Sequence, residues 1–268
     1  MPKTNIGGLE MYYEVHGRGE PLVLIHGLGM ACSTWFNQIP LLSQSYQVVV
    51  FDNRGAGRTE APADAYTLDM MATDTAALFQ SLDIPQAHVL GFSLGGLIAQ
   101  RLALQQPDRI RSLLLVSTAT QLPPKAKQVM ETWLEMSRAG LALDILAREG
   151  LLWVYTDAFF RDNQAVNAAV ESARHEPHPL TLEGFAGQVA ALVEAQTAAD
   201  LHHIQVPTLV VAGRDDILIP PAYAAELAAQ IPGAELVILE PAGHNCWMEF
   251  PELFNSTILH FLNQITTR

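Results

Sequence analysis

Cysteine is almost missing from this chain: the 268 residues hold two, Cys32 and Cys246. Two thiols build no disulfide framework, and neither stands at ligand-type spacing to the other or to a histidine, so both are expected to be reduced and buried, and no metal site is expected. Positive charge is scarce too. Fifteen Lys and Arg against 28 Asp and Glu give a formal net charge of −13, which repels nucleic acid and anionic membrane surfaces and leaves neutral small molecules as the open class of partner. No run of about 18 apolar residues occurs, and Met1 to Gly8 lacks the apolar core of a signal peptide, so a soluble cytoplasmic protein is expected. There is no internal repeat and no low-complexity segment. Phosphate loops are missing as well: Phe51-Asp52-Asn53-Arg54-Gly55-Ala56-Gly57-Arg58-Thr59 fits neither G-x-x-x-x-G-K-[ST] nor G-x-G-x-x-G spacing, and Asp52 and Arg54 read as residues that fix their own loop.

What is present is apolar. Hydrophobic residues make up 49% of the chain and charged ones 16%, enough for one large α/β domain or a core carrying an inserted cap. Leu22–Ile25, Val48–Phe51, Leu113–Val116, Leu209–Ala212 and Leu236–Leu239 are continuous apolar runs bounded by turn residues, and Ala87–Leu90, the largely apolar segment before Ser93, makes a sixth. Such runs indicate strands buried on both faces of a parallel sheet. Leu9 to His16, with mixed polarity and two tyrosines, suits a half-exposed antiparallel edge strand. Helical patterns alternate with these strands at Leu68–Leu82, Leu97–Gln106, Pro221–Gln230 and Glu249–Ile265. The expectation is a doubly wound, mostly parallel α/β sheet with right-handed crossovers.

One stretch breaks the alternation. Between Gln121 and Ile204 only helix-forming segments occur: Lys125–Arg138, Leu141–Leu152, Asn163–Arg174 and Leu182–Ala198. The predicted organisation is therefore a core of residues 1–120 and 205–268 with a helical cap, 121–204, inserted between two strands. Ligands of open α/β sheets bind outside the carboxyl ends of the strands, so a cap there would roof the site.

The candidate chemistry gathers at those carboxyl ends. Gly91-Phe92-Ser93-Leu94-Gly95-Gly96 reads as G-x-S-x-G between a strand and a helix, a turn that forces the serine into a strained, exposed conformation. As a bare pattern it describes an idle serine equally well. The other strand ends add what a serine nucleophile needs. A hydroxyl requires a base titrating near neutrality, and that base requires a carboxylate to fix its tautomer. His244, after the last strand, and Asp216, after the strand before it, appear with Ser93 in the chain order nucleophile, acid, histidine. Asp215 is the rival acid, read otherwise as capping its turn or meeting Arg214. The backbone N–H groups of Leu28 and Leu94 are the candidate oxyanion donors. His26, before Gly27-Leu28-Gly29, reads as a loop anchor rather than a base. His16, His88, His175, His178, His202, His203 and His260 have no comparable placement.

These pieces resemble the α/β-hydrolase fold superfamily, in its H-G-x-G branch of capped serine hydrolases, over essentially the whole chain. The matching motifs are His26-Gly27-Leu28-Gly29, Asp52-x-Arg54-Gly55-x-Gly57-x-Thr59, Gly91-x-Ser93-x-Gly95-Gly96, Gly213-x-x-Asp216-x-x-x-Pro220 and Gly243-His244. The resemblance implies Asp216 rather than Asp215 as the acid. It points to bacterial carboxylesterases, pimeloyl methyl ester esterases and 3-oxoadipate enol-lactonases. Epoxide hydrolases and haloalkane dehalogenases carry aspartate where this chain has Ser93, proline iminopeptidases usually show H-G-G-P-G, and C–C hydrolases of ring-cleavage products typically place Trp directly after the histidine, where Asn245 stands here.

The expected activity is therefore hydrolysis of a small-molecule ester or lactone through an acyl-enzyme, without cofactor or metal, failing at acidic pH once His244 is protonated. Met30, Trp133, Trp153, Phe159 and Trp247 are the candidate pocket residues. C–C hydrolysis of a ring-cleavage product is the alternative chemistry, and a ligand-sensing receptor on the same scaffold is the alternative class.

Overall fold

A computed structural model describes residues 2–266. Eight strands form one sheet: β1 (Lys3–Ile6), β2 (Leu9–His16), β3 (Glu20–Ile25), β4 (Tyr46–Phe51), β5 (Ala87–Phe92), β6 (Ile110–Val116), β7 (Thr208–Gly213) and β8 (Glu235–Leu239). Their spatial order is β1-β2-β4-β3-β5-β6-β7-β8. The pairs β1·β2 and β2·β4 are antiparallel, and every pair from β4 onward is parallel.

The apolar runs form the central strands as their composition requires. Leu22 to Ile25, Val89, Leu90 and Leu113 to Val116 have at most 1% of their surface exposed, because helices cover both faces. Two edges differ from the sequence expectation. Leu9–His16 is not the outermost strand, since the short polar segment Lys3–Ile6 pairs outside it. Leu236–Leu239 is not buried on both faces: β8 closes the far edge with Glu235 and Leu236 exposed.

The helices are α1 (Ile39–Leu42), α2 (Leu68–Ser81), α3 (Leu94–Gln105), α4 (Pro124–Arg138), α5 (Leu143–Val154), α6 (Asp157–Phe160), α7 (Asn163–Arg174), α8 (Leu182–Val193), α9 (Pro221–Gln230), α10 (Cys246–Glu249) and α11 (Pro251–Thr266). In α2 the Thr67 hydroxyl caps the first turn through Met70 N–H, and Met71, Thr75 and Leu78 face the core. The helix read as Glu249–Ile265 is two helices, divided at Phe250 (φ −130°, ψ 63°), because the residue before a proline is pushed out of helical geometry.

Helices α4 to α8 lie between β6 and β7 in the chain. Two of their contacts with the rest of the protein reach loops at the carboxyl ends of the strands. A side chain on Gly184 of α8 would fall 2.0 Å from Gly55 O, so that helix lies directly on the loop after β4. The end of α5 meets the loop after β8, where Asn245 N–H donates to Val154 O at 2.9 Å and Glu249 accepts from the Thr156 hydroxyl. Among the described residues, no helix is long and apolar enough to cross a membrane.

Candidate active site

Ser93 stands where β5 passes into α3, with φ 52° and ψ −115°. Positive φ in a non-glycine residue costs roughly 1–3 kcal/mol and persists only where its surroundings hold it. Here the crowding is severe. A Cβ on Gly91 would lie 2.2 Å from Gly95 O, and one on Gly95 would lie 2.1 Å from Ile25 O on the neighbouring strand. The turn can therefore pass only with glycine on both sides of the serine. Within Gly91–Gln100, Ser93 is the one residue that is not fully buried.

Two loops bring partners to its hydroxyl. His244, between β8 and α10, places Nε2 3.2 Å from Ser93 Oγ and Nδ1 2.8 Å from Asp216 Oδ2. A carboxylate only accepts, so Nδ1 carries the hydrogen and Nε2 is left to accept from the Ser93 hydroxyl. The second Asp216 oxygen, Oδ1, accepts from Leu218 N–H at 2.9 Å and Ile219 N–H at 2.8 Å. The carboxylate is buried and cannot turn away from the imidazole. Asp215 is exposed. It does not meet Arg214, whose guanidinium pairs instead with Glu240 at 2.8 Å; its own N–H donates to Ala242 O.

The loop after β3 approaches from the other side. A Cβ on Gly27 would sit 3.4 Å from Ser93 Cβ and 2.9 Å from the Phe92 ring, so glycine is what lets this backbone come alongside the serine. Leu28 follows in a turn closed by Met30 N–H to Gly27 O. Leu94 is the first residue of α3, and its N–H is one of the four that a helix start leaves without an intrahelical acceptor. One side chain of α8 holds the Leu28 loop: buried Gln188 accepts from Gly29 N–H at 3.0 Å and donates to Arg54 O at 2.9 Å. Nothing in the local sequence around Gln188 marks it for this role, because the pairing spans 159 residues.

His26 is engaged on both ring nitrogens. Nδ1 donates to Gly27 O at 2.9 Å and Nε2 accepts from Asn53 N–H at 3.0 Å, so the ring anchors backbone and has no nitrogen free for proton transfer. The Asp52 carboxylate accepts from Cys32 N–H and Arg58 N–H, and Arg54 forms a two-bond pair with Asp74 at 2.5 and 2.7 Å. Both therefore fix their loop. Cys32 and Cys246 are free and buried. Burial pushes both thiols up, that of Cys246 to about 12, which keeps them protonated and unreactive near neutral pH.

The aromatic residues proposed for a pocket divide. Trp247 does not line open space: it is fully buried, its ring centroid 4.5 Å from that of Trp35 and 5.4 Å from that of Phe92, as part of the core. Met30 packs half-buried against that same cluster. Trp133 and Trp153 both donate their indole N–H to Glu149, which ties α4 to α5. Phe159 stacks on Tyr155 at 4.0 Å. A groove of about 430 Å³ runs between α5, α6 and α7, lined by Ile145, Arg148, Glu149, Leu152, Phe160 and Val166; none of Ser93, Asp216 and His244 borders it.

Burial holds the pKa of His26 below the ordinary histidine value, against the opposing pull of Asp52. His88 is lowered the same way, against Glu20, while its Nδ1 pairs with Ser112 Oγ at 2.7 Å. A depressed folded-state pKa means that the unfolded chain takes up protons first. The stability these rings allow is thus complete above about pH 6.5 and falls as pH drops below it, by up to about 1.4 kcal/mol per pH unit for each ring. Urea midpoints measured at pH 7.5, 6.5 and 5.5 should decline across the lower interval, and less steeply in His88→Asn. A flat midpoint would show that neither ring is held neutral.

Residues 20–251 match a family model described as the alpha/beta hydrolase fold. The chain belongs to that family. Its eight-stranded, mostly parallel sheet is the alpha/beta hydrolase fold. Among solved structures, this alpha/beta hydrolase chain superposes on the enol-lactonase from Burkholderia xenovorans with a TM-score of 0.88 and 30% identity, covering 98% of this chain and 100% of that one. Among sequence relatives, it is 32% identical over 258 residues to "Putative carbamate hydrolase RutD" of Stutzerimonas stutzeri (94% of this chain, 96% of the relative). It is 31% identical over 261 residues to "Putative non-heme bromoperoxidase BpoC" of Mycobacterium tuberculosis (96% and 99%).

Proposed function

We propose that this alpha/beta hydrolase is a serine hydrolase that cleaves a small carboxylic ester or lactone through an acyl-enzyme. The observation that carries the reading is the hydrogen-bonded relay from Ser93 Oγ to His244 Nε2 and from His244 Nδ1 to Asp216. Ser93 Oγ attacks the carbonyl carbon while its proton passes to Nε2. The charge that develops on the carbonyl oxygen is received by the N–H groups of Leu28 and Leu94, the latter at the positive end of α3. Collapse of the tetrahedral centre breaks the bond to the leaving oxygen, which takes the proton back from Nε2. Water then repeats the sequence on the acyl-Ser93 ester and releases the acid. Asp216 stays ionised throughout and supports the imidazolium.

Residues 121–204 act in this reading as a cap over the site. The contacts of Gln188 with the loops after β3 and β4, and of Thr156 with Glu249, support that placement. An ester or lactone substrate agrees with the similarity to the enol-lactonase. Asn245 after the histidine, and the burial of Trp247 in the core, set the chain apart from the tryptophan pattern of C–C hydrolases.

The test is steady-state turnover on a panel of p-nitrophenyl esters of increasing acyl length, γ- and δ-lactones and simple carbamates. Many turnovers per site on an ester or lactone are expected. Turnover confined to carbamates would reassign the substrate class. A single stoichiometric burst, accompanied by a ligand-induced rise in Tm, would indicate a receptor.

A further inference from the structure

Ser117, at the carboxyl end of β6, is buried and has φ 46°, in the left-handed region. Its side chain is small, and its hydroxyl lies between a backbone carbonyl and the Cys246 sulfur, 3.7 Å away. Its hydroxyl donates to His244 O at 2.8 Å, and its N–H donates to Val211 O of β7 at 2.8 Å. The adjoining residues face the other way: Val116 O accepts from Ser93 N–H at 2.9 Å, and the Thr118 hydroxyl donates to Ser93 O at 2.9 Å. Three consecutive residues of one strand end therefore hold the backbone of the serine on both sides and the backbone of the histidine on one.

We infer that Ser117 is a positioning residue, which sets the distance between His244 and Ser93 by clamping the His244 carbonyl to the strand that also holds Ser93. Glycine would adopt φ 46° without strain, but it has no hydroxyl to donate. A serine at this angle keeps the left-handed turn and the bond at once. Alanine would keep the strain and lose the bond. The relay distance it controls is 3.2 Å, and displacement of a proton-transfer partner by about 1 Å costs on the order of 10²-fold in rate. The inference rests on the relay reading above.

Ser117→Gly and Ser117→Ala separate the bond from the strain. Each is assayed on p-nitrophenyl acetate beside wild type and Ser93→Ala, with sites counted by titration with a fluorophosphonate. Both variants should lose about 10-fold to 10²-fold in kcat per titrated site with KM changed less than about twofold, although Tm is higher in Ser117→Gly than in Ser117→Ala. Wild-type kcat per site in Ser117→Gly, or a loss that appears in KM alone, would overturn the inference. So would variants too unfolded to titrate, since Ser117 would then serve folding only. Activity retained by Ser93→Ala would instead overturn the relay reading itself.

Discussion

Asp216→Asn is expected to lower kcat by about 10³- to 10⁴-fold on an ester substrate, while Asp215→Asn stays within about twofold of wild type. The two residues are adjacent and carry the same group, so the difference comes from position alone. Asp216 Oδ2 accepts the Nδ1 hydrogen of His244. An amide there presents its NH2 to Nδ1 and drives the hydrogen to Nε2, leaving no acceptor for the Ser93 proton. The other oxygen receives two backbone N–H groups, so the amide would keep its oxygen on that side and aim its NH2 at the ring. Asp215, exposed on the turn, has no bond to the imidazole to lose. Circular dichroism and Tm separate loss of catalysis from loss of fold. Equal losses in the two variants would contradict the assignment.

Ser93→Ala should abolish most of the activity, by about 10⁵-fold or more in kcat, leaving only what the oxyanion donors and substrate binding supply. The substitution is clean in this fold. The turn is held through the Ser93 backbone, by Val116 O, the Thr118 hydroxyl and the N–H groups of Gly96 and Leu97, none of which uses the hydroxyl. Alanine at φ 52° bears about the same strain as serine, so Tm should change little. Wild-type turnover by Ser93→Ala would remove Ser93 from the chemistry.

The sheet was largely legible in the sequence because parallel central strands must be apolar on both faces, which gives Leu22–Ile25 or Leu113–Val116 an unbroken signature. The edges were not. Leu236–Leu239 has the same composition but forms the last strand of the sheet, where Leu236 is exposed and Val237 and Ile238 are only partly buried, and Lys3–Ile6 has too few apolar residues to announce a strand, since its order comes from pairing with Leu9–Tyr12. Ser93, Asp216 and His244 were readable because each stands just past such a run, where the strand direction fixes which end the loop occupies. Gln188, Ser117 and Thr118 were not. They are single polar residues whose meaning lies in what they touch, 127 residues away for Ser117 and His244. Trp247 departs from the pocket expectation for the converse reason: it lies near the histidine in sequence but turns inward against Trp35, and a tryptophan looks the same in a pocket and in a core.

The central claim is that Ser93 becomes covalently acylated. Rapid quenching of the protein within the first turnover of a p-nitrophenyl ester, followed by peptide mass spectrometry, reads this directly. One acyl adduct per chain is predicted, confined to the peptide containing Ser93, forming with the burst of p-nitrophenol and missing from Ser93→Ala. A burst without an adduct, or an adduct on a different residue that survives in Ser93→Ala, would contradict it.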